Sequence, residues 1–273
     1  MPDSDQHWYD GHLVGDNLTL SSTEPGLLFG ATVFTTLRVY KRNLDHPWTA
    51  WAGHCQRITR SLQAFHWPQP DWQRVRQGAE QLASAFPVLR ITIFPDGREL
   101  IVGRSLPPHL STWQAQGITA WVAERSEFQR SLPGHKTGNY LSCWLALQAA
   151  RRAQAQEAIL LDGQGHWLET STGNLWGWAA GEWHTPPLSA GILPGLLRSH
   201  LLQGLQAQHQ TVQMRPWHAT QIAQFTYLAY TNSVLTVIPI RTVLQGMASV
   251  NYNPDQDKTR SLMKAWQVGA HET

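Results

Sequence analysis

Charge is scarce and nearly balanced in this chain. Of its 273 residues, 21 are Lys or Arg and 19 are Asp or Glu, leaving a formal net charge of +2. No basic run interleaved with aromatics occurs, which excludes the cationic face of a nucleic-acid-binding or membrane-surface protein. Cysteine is nearly absent. Cys55 and Cys143 stand alone with no CxxC, so neither a zinc site nor a disulfide framework is expected, and a reducing cytoplasm is the default. No apolar run approaches the roughly 18 residues that span a bilayer. Residues Met1 to His7 lack the basic start and apolar stretch of a signal peptide. The 13 histidines do not cluster, and no metal is expected. What is present is ordinary for a globular chain, with 42% hydrophobic and 15% charged residues. The length supports a large core and two domains. The 14 tryptophans are scattered and read mostly as core or interface packing.

Periodicity divides the chain into strands and isolated helices. Trp8 to Leu20 alternates about Asp10-Gly11, a hairpin signal. A β-prone run covers Val33 to Tyr40, and a helix is expected from about Trp48 to Phe65. Asp71 is placed to cap a helix reaching Phe86, with Trp72, Val75, Ala79, Leu82, Ala83 and Phe86 on one stripe. Strands follow over Val88 to Phe94 and Glu99 to Gly103. The stretch 107–115, rich in proline and small polar residues, reads as a linker. It separates a small N-terminal α/β domain, 1–106, from a larger C-terminal domain, 116–273. Beyond it are a strand over Gly117 to Ala123, a helix over Gly138 to Ala153, and hairpins about 162–165 and 180–182. A further helix covers about Pro194 to Gln208, and strands lie near Tyr227 to Thr231 and Ile238 to Ile240. The polar segment after about Val250 has helical character. This mixture points to an α+β fold rather than a doubly wound sheet.

Five features carry chemistry. Lys136, in His135-Lys136-Thr137-Gly138-Asn139-Tyr140, would sit at the start of the expected helix. A cation there opposes the helix dipole, which favours the neutral, nucleophilic amine. Glu169 ends the apolar strand Trp167-Leu168-Glu169. Gly195-Leu196-Leu197 follows Leu193-Pro194, with the proline suited to a first helical turn. Free N–H groups at such a turn can hold a phosphate. Thr231-Asn232-Ser233 lies between two β-prone runs, and Arg57 is a fixed cation on a helix. Each alone has a plain structural reading: a solvated lysine, a strand-end acid, an ordinary helix start, a turn, a surface arginine. Together, an amine, a carboxylate and an anion cradle are what pyridoxal phosphate needs from a protein.

Their order and spacing resemble the fold-type IV pyridoxal-phosphate enzymes. These comprise branched-chain aminotransferases, D-amino acid aminotransferases and aminodeoxychorismate lyases. The matching pieces are His54-x-x-Arg57-Ile58, Lys136-x-x-Asn139, Glu169-x-Ser171-x-x-Asn174-Leu175, Thr185-Pro186-Pro187, Leu193-Pro194-Gly195-Leu196-Leu197-Arg198, and Asn232-Ser233 to Pro239-Ile240. They span about Asp10 to Ile240. The resemblance implies a two-domain fold-type IV architecture, with Lys136 as the lysine that takes the cofactor's aldehyde and Glu169 as partner of the pyridine nitrogen. It gives Arg57, the N–H groups of Leu196 and Leu197, and Ser233 to the phosphate, and Tyr140 to the phenolic oxygen. It also implies a homodimer.

Within the family, Phe34-Thr35-Thr36 resembles some aminodeoxychorismate lyases, where the aminotransferases usually carry glutamate at the place of Thr35. Asn232 is also lyase-like. Asn139-Tyr140-Leu141-Ser142 and Thr185-Pro186-Pro187 resemble branched-chain enzymes, and Gly30-Ala31-Thr32 departs from the family's usual Gly-Asp-Gly. The expectation is a 4-amino-4-deoxychorismate lyase making 4-aminobenzoate and pyruvate for folate synthesis. Arg38, Arg104 and Asn232 are its candidate substrate residues. The alternatives are a branched-chain or D-amino acid aminotransferase, or a non-catalytic ligand-binding relic of the same fold.

Overall fold

The computed structural model describes residues 6–15 and 17–271, which divide into two compact units. The first comprises Met1–Leu106 and the short segment His135–Tyr140; the second comprises Pro107–Gly134 and Leu141–Thr273.

The first unit contains β1 (His7–Tyr9), β2 (His12–Val14), α1 (Pro25–Phe29), β3 (Val33–Arg38), α2 (Trp51–Ala64), α3 (Trp72–Ala83), β4 (Val88–Ile93) and β5 (Glu99–Arg104). Its strands form one antiparallel sheet in the order β2-β1-β5-β4-β3. Asp10 and Gly11 turn the first hairpin with φ of 45° and 86°, the left-handed pair that a two-residue hairpin requires. Asp71 caps α3 as expected, its Oδ1 accepting from the N–H groups of Gln73 and Arg74 at 3.0 and 3.1 Å. Alternation assigns the two faces of the sheet. Leu37, Leu89, Ile91 and Ile101 pack against Ile58 and Leu62 of α2 and Val75, Ala79 and Leu82 of α3. Burial of each large side chain there contributes about 1.5–3 kcal/mol. The opposite face carries Phe34, Thr36, Arg38, Arg90 and Arg104.

Residues 135–140 run along β3 rather than beginning a helix. Phe34 N–H donates to Lys136 O at 2.8 Å, Gly138 N–H donates to Thr32 O at 2.8 Å, and Val33 bridges Thr137. A Cβ on Gly138 would lie 2.3 Å from Thr32 Oγ1 and 2.6 Å from Gly30 O, so only glycine permits the approach.

The second unit contains α4 (Leu110–Gln116), β6 (Ile118–Ala123), α5 (Leu141–Arg152), β7 (Glu157–Leu161), β8 (Trp167–Thr170), β9 (Asn174–Ala179), β10 (Glu182–Thr185), α6 (Leu196–Ala207), β11 (Val212–Met214), α7 (Ala219–Ile222), β12 (Tyr227–Asn232), β13 (Thr236–Gln245), β14 (Ala248–Asn251) and α8 (Gln256–Gly269). The 107–115 stretch thus leads into a helix, α4. The main strand order is β11-β10-β9-β12-β13-β6-β7-β8, with β14 on β13, and β8 pairs back to β9. Six strands therefore close into a ring, and the closing pair is Glu169 opposite Asn174. Closure removes two exposed edges and fixes those two side chains at one point. The parallel pairs are β6 with β7, β6 with β13, and β10 with β11. Helix α8 packs on α6 through glycine: a Cβ on Gly204 would meet Ala265 O at 1.8 Å.

Two expected helix starts move. The helix placed over 138–153 begins at Leu141, because 136–138 are bound to β3 and its preceding loop. Lys136 thus precedes the helix by five residues and the dipole argument does not apply to it. Helix α6 begins at Leu196 with Gly195 as N-cap, so Pro194 lies before the cap rather than in the first turn. Among the described residues no helix is long and apolar enough to cross a membrane.

Candidate functional site

Each unit carries one group of candidate residues. In the first unit, the strip along β3 sets Lys136 beside Phe34 and Tyr140. Lys136 Nζ lies 3.3 Å from Tyr140 Oη and 4.7 Å from the centroid of the Phe34 ring. Phe34 and Tyr140 meet edge to face at 5.5 Å. This is an amine against aromatic surface with one hydroxyl in hydrogen-bond reach, a setting suited to a nucleophile and proton carrier.

Arg57 enters from α2. Its Nη2 donates to Thr35 Oγ1 at 2.5 Å, and Thr35 Oγ1 also lies 2.6 Å from His54 Nδ1. Its Nε is buried without a hydrogen-bond partner. Burial lowers the Arg57 pKa to about 10, partly offset by Tyr140. A desolvated guanidinium with an orphaned N–H, and no carboxylate paired to it among the described residues, fits a phosphate dianion. The chemistry of the donors, not geometry alone, is what matches the cofactor.

In the second unit, Glu169 is buried at the end of β8. Its Oε2 accepts from Leu193 N–H at 3.1 Å and Asn174 Nδ2 at 3.3 Å, and its Oε1 pairs with Arg130 Nη1 at 2.5 Å. Asn174 Nδ2 also donates to Leu193 O at 2.9 Å. The carboxylate is therefore oriented by three donors, as an acid that must hold a heterocyclic N–H should be. The same loop leads to α6, whose first-turn N–H groups include those of Leu196 and Leu197. Gly195 has no side-chain cap, and a Cβ on it would lie 2.1 Å from Asn174 Oδ1. The helix start is thus a cradle that a larger residue would fill. Arg198, buried on α6, donates from Nη2 to Pro186 O at 3.0 Å, which explains why Thr185-Pro186-Pro187 accompanies Leu193 to Arg198.

Between β12 and β13, Asn232 Oδ1 accepts from Val234 N–H at 3.0 Å and Leu235 N–H at 2.8 Å. This side chain shapes the turn that carries half-buried Ser233. Its Nδ2 reaches Thr172 Oγ1 at 3.5 Å. Ser171 and Thr172 hydroxyls both donate to Glu157, which burial pushes above the ordinary carboxylate range. Buried Glu157 thus anchors the loop between β8 and β9 from beneath.

Of the expected residues, the structure groups Lys136, Tyr140 and Arg57 in the first unit. It places Glu169, Leu196, Leu197, Asn232 and Ser233 in the second. Arg38 and Arg104 lie on the face of the first sheet away from α2 and α3; Arg38 Cζ sits 4.8 Å from the centroid of the Tyr40 ring, and Arg104 is exposed. Sequence reasoning did not single out Arg130 or Glu157. Arg130 carries no local signal. Glu157 does, as a carboxylate opening the otherwise apolar run Ala158-Ile159-Leu160-Leu161.

Comparison with known proteins gives the family and the fold. The sequence model of the class IV amino-transferase family matches residues 32–243. An aminodeoxychorismate lyase of Vibrio harveyi is 29% identical over 229 residues, covering 78% of this chain and 83% of the lyase. A branched-chain-amino-acid aminotransferase of Salmonella typhimurium is 26% identical over 277 residues, covering 88% and 85%. The branched-chain aminotransferase structure from Escherichia coli superposes with a TM-score of 0.77 at 21% identity, over 96% of this chain and 93% of that one. A PLP-bound aminotransferase of Mycobacterium tuberculosis gives a TM-score of 0.80 at 18% identity, over 95% and 98%. The two structural likenesses establish the fold.

Proposed function

The chain belongs to the class IV aminotransferase family, and from that premise we propose that it is a 4-amino-4-deoxychorismate lyase, cleaving its substrate to 4-aminobenzoate and pyruvate for folate synthesis. The cofactor is pyridoxal phosphate. The observation that carries the lyase reading is Thr35. Its hydroxyl, not a carboxylate, meets Arg57 at 2.5 Å and His54 at 2.6 Å, in the place where the resemblance puts glutamate in aminotransferases. The likeness to the Vibrio harveyi lyase supports the same choice.

When bound, the cofactor supplies an electron-accepting pyridinium ring that takes up the charge released as a substrate C–H bond breaks. The protein's residues do the rest. Lys136 would be the residue that holds the cofactor, and its amine would take the proton from the ring carbon bearing the substrate nitrogen. Tyr140 Oη, 3.3 Å from that amine, orients it and would hydrogen-bond the cofactor's phenolic oxygen. Glu169, fixed by Arg130, Asn174 and the Leu193 N–H, would accept the pyridine N–H and keep the ring protonated. Arg57, the Leu196 and Leu197 N–H groups and Ser233 are the residues that would hold the phosphate. As the ring C–H electrons move inward, the C–O bond to the enolpyruvyl group breaks. The departing enolpyruvate takes back one proton to become pyruvate, and the ring becomes aromatic. Arg38, Arg104 and Asn232 are the substrate-side polar groups of this proposal. The protein acts in the cytoplasm as a homodimer.

A second reading, a branched-chain or D-amino acid aminotransferase, is favoured by the Salmonella likeness over 88% of the chain and by Thr185-Pro186-Pro187. One experiment separates them. Cofactor-loaded protein is incubated with enzymatically made aminodeoxychorismate, and 4-aminobenzoate is followed by chromatography. Parallel reactions contain 2-oxoglutarate and single amino acids. The lyase reading expects 4-aminobenzoate and pyruvate in equal amounts. Rapid transamination without 4-aminobenzoate overturns it.

A further inference from the structure

Arg198 is 3% exposed at the start of α6, and its charge is incompletely met. Its Nη2 donates to Pro186 O at 3.0 Å and to Met214 Sδ at 3.6 Å, while its Nε is buried without a hydrogen-bond partner. Among the described residues, no carboxylate forms an ion pair with Arg198. Burial lowers its pKa, against the pull of the Glu169 charge. A thioether sulfur is a weak acceptor, so Met214 is a poor partner for a desolvated cation.

This guanidinium joins three elements of the second unit. Pro186 follows β10, Met214 ends β11, and the two strands run parallel with Thr185 opposite Met214. Arg198 itself follows Leu197 in the first turn of α6. Met214 is 52% exposed, so a small oxidant in solvent can reach it. Of the other described methionines, Met247 is fully exposed in the turn between β13 and β14, and Met263 is half-buried on α8. Met214 is the one whose sulfur accepts from a guanidinium.

We propose that Met214 is a peroxide-modification site acting on the start of α6: its sulfoxide gives the Arg198 guanidinium a strong acceptor in place of a weak one, and so tightens the joint between β11, the 185–187 segment and α6. In this step the sulfur lone pair attacks one oxygen of hydrogen peroxide. The O–O bond breaks, an S–O bond forms, and the second oxygen leaves as water with both protons. Sulfur is oxidised by two electrons and the peroxide is reduced by two. The 3.6 Å between sulfur and nitrogen leaves room for an oxygen set off that line within hydrogen-bond distance of Nη2. Methionine oxidation ordinarily disrupts packing. Here it adds a charge-assisted hydrogen bond at a half-exposed side chain, so the sign of the stability change is reversed. Any consequence for the cofactor rests on the reading of the Leu196 and Leu197 N–H groups as its phosphate cradle.

The test compares full-length Met247→Leu with Met247→Leu/Met214→Leu, each before and after hydrogen peroxide. Peptide mass mapping follows the conversion of each methionine. The double variant undergoes every other oxidation, so the difference belongs to Met214. Oxidation should raise the melting temperature of the cofactor-free single variant by about 2–4 °C and leave that of the double variant unchanged or lower. Fluorescence titration with pyridoxal phosphate should show the dissociation constant of the oxidised single variant falling about threefold to tenfold. Met214→Gln, which sets an amide oxygen near the same place, should raise the melting temperature without peroxide. If the double variant does not fold, Met214→Gln decides: a rise sustains the proposal and no rise overturns it. A Met214 that stays unoxidised while Met247 of the wild type is converted overturns it. So does a melting temperature that falls or stays constant in the oxidised single variant, or rises equally in both chains. A rise confined to the single variant with unchanged cofactor affinity supports the Met214 site and counts against the α6 cradle alone.

Discussion

Arg57 carries a cation that its surroundings desolvate without neutralising, since its Nη2 meets the Thr35 hydroxyl and its Nε meets no acceptor. Two opposite consequences follow from that one fact. Arg57→Met should leave the cofactor-free protein as stable as the wild type or more so, because an uncompensated buried charge is removed. The same change should raise the cofactor dissociation constant about tenfold to hundredfold, the loss of a charged hydrogen-bonded contact. Thermal melts and fluorescence titration read the two effects separately. Glu157 gives a pH signature. Burial raises its pKa above the ordinary 4.5, against hydrogen bonds that lower it. As pH climbs from about 4.5 through the raised value, the unfolded chain sheds the proton first and the native state retains it. Stability contributed by this group is therefore full below that window and declines as pH rises through it. Urea titrations should show wild-type stability falling relative to Glu157→Gln across the window; a constant difference would contradict this. At this scale motif spacing singles out Lys136, Glu169 and Arg57 as candidates, and the structure adds what each one touches. Arg130 is not singled out, because its contact arises from a loop folding back onto Glu169, which neighbours in sequence do not encode.

The elements explain both what periodicity captured and what it missed. Helix α3 was readable because one cap and one apolar stripe specify it. The start of α5 was not, because the hydrogen bonds of Lys136 and Gly138 to Phe34 and Thr32 take up backbone that would otherwise extend the helix. A non-local strand contact outweighs local preference there. The contact of α6 with α8 is equally non-local. Gly204→Ala would press a Cβ to within 1.8 Å of Ala265 O, and a destabilisation of about 1–3 kcal/mol is expected from such overpacking. Gly163, with nothing within 4 Å of an added Cβ, supplies the control; Gly163→Ala should be close to neutral. Chemical denaturation midpoints compare the two. The first turn of α6 presents the Leu196 and Leu197 N–H groups, so Gly204→Ala should also weaken cofactor binding.

For the whole molecule, the α+β class was readable from the mixture of strand and helix periods, whereas the closed six-stranded ring was not. Its closure rests on the pair Glu169 and Asn174, and completing the ring needs β13 to pair with the sequence-distant β6, which no local pattern announces. The surface of the first unit bears on assembly. Leu27, Leu28 and Phe29 are consecutive and 64%, 55% and 74% exposed, an apolar strip suited to burial against a second copy. Sedimentation should return twice the chain mass of 30.8 kDa, and Phe29→Asp should shift the population toward the single-chain mass. A wild type sedimenting as a single chain would contradict the dimer. The central claim concerns one of only four lysines in the chain. Protein loaded with pyridoxal phosphate is reduced with borohydride, digested and mapped by mass spectrometry. The predicted result is loss of the yellow absorbance with a reduced pyridoxyl adduct on the peptide containing Lys136. An adduct on Lys41, Lys258 or Lys264 alone, or no adduct at all, would contradict the account.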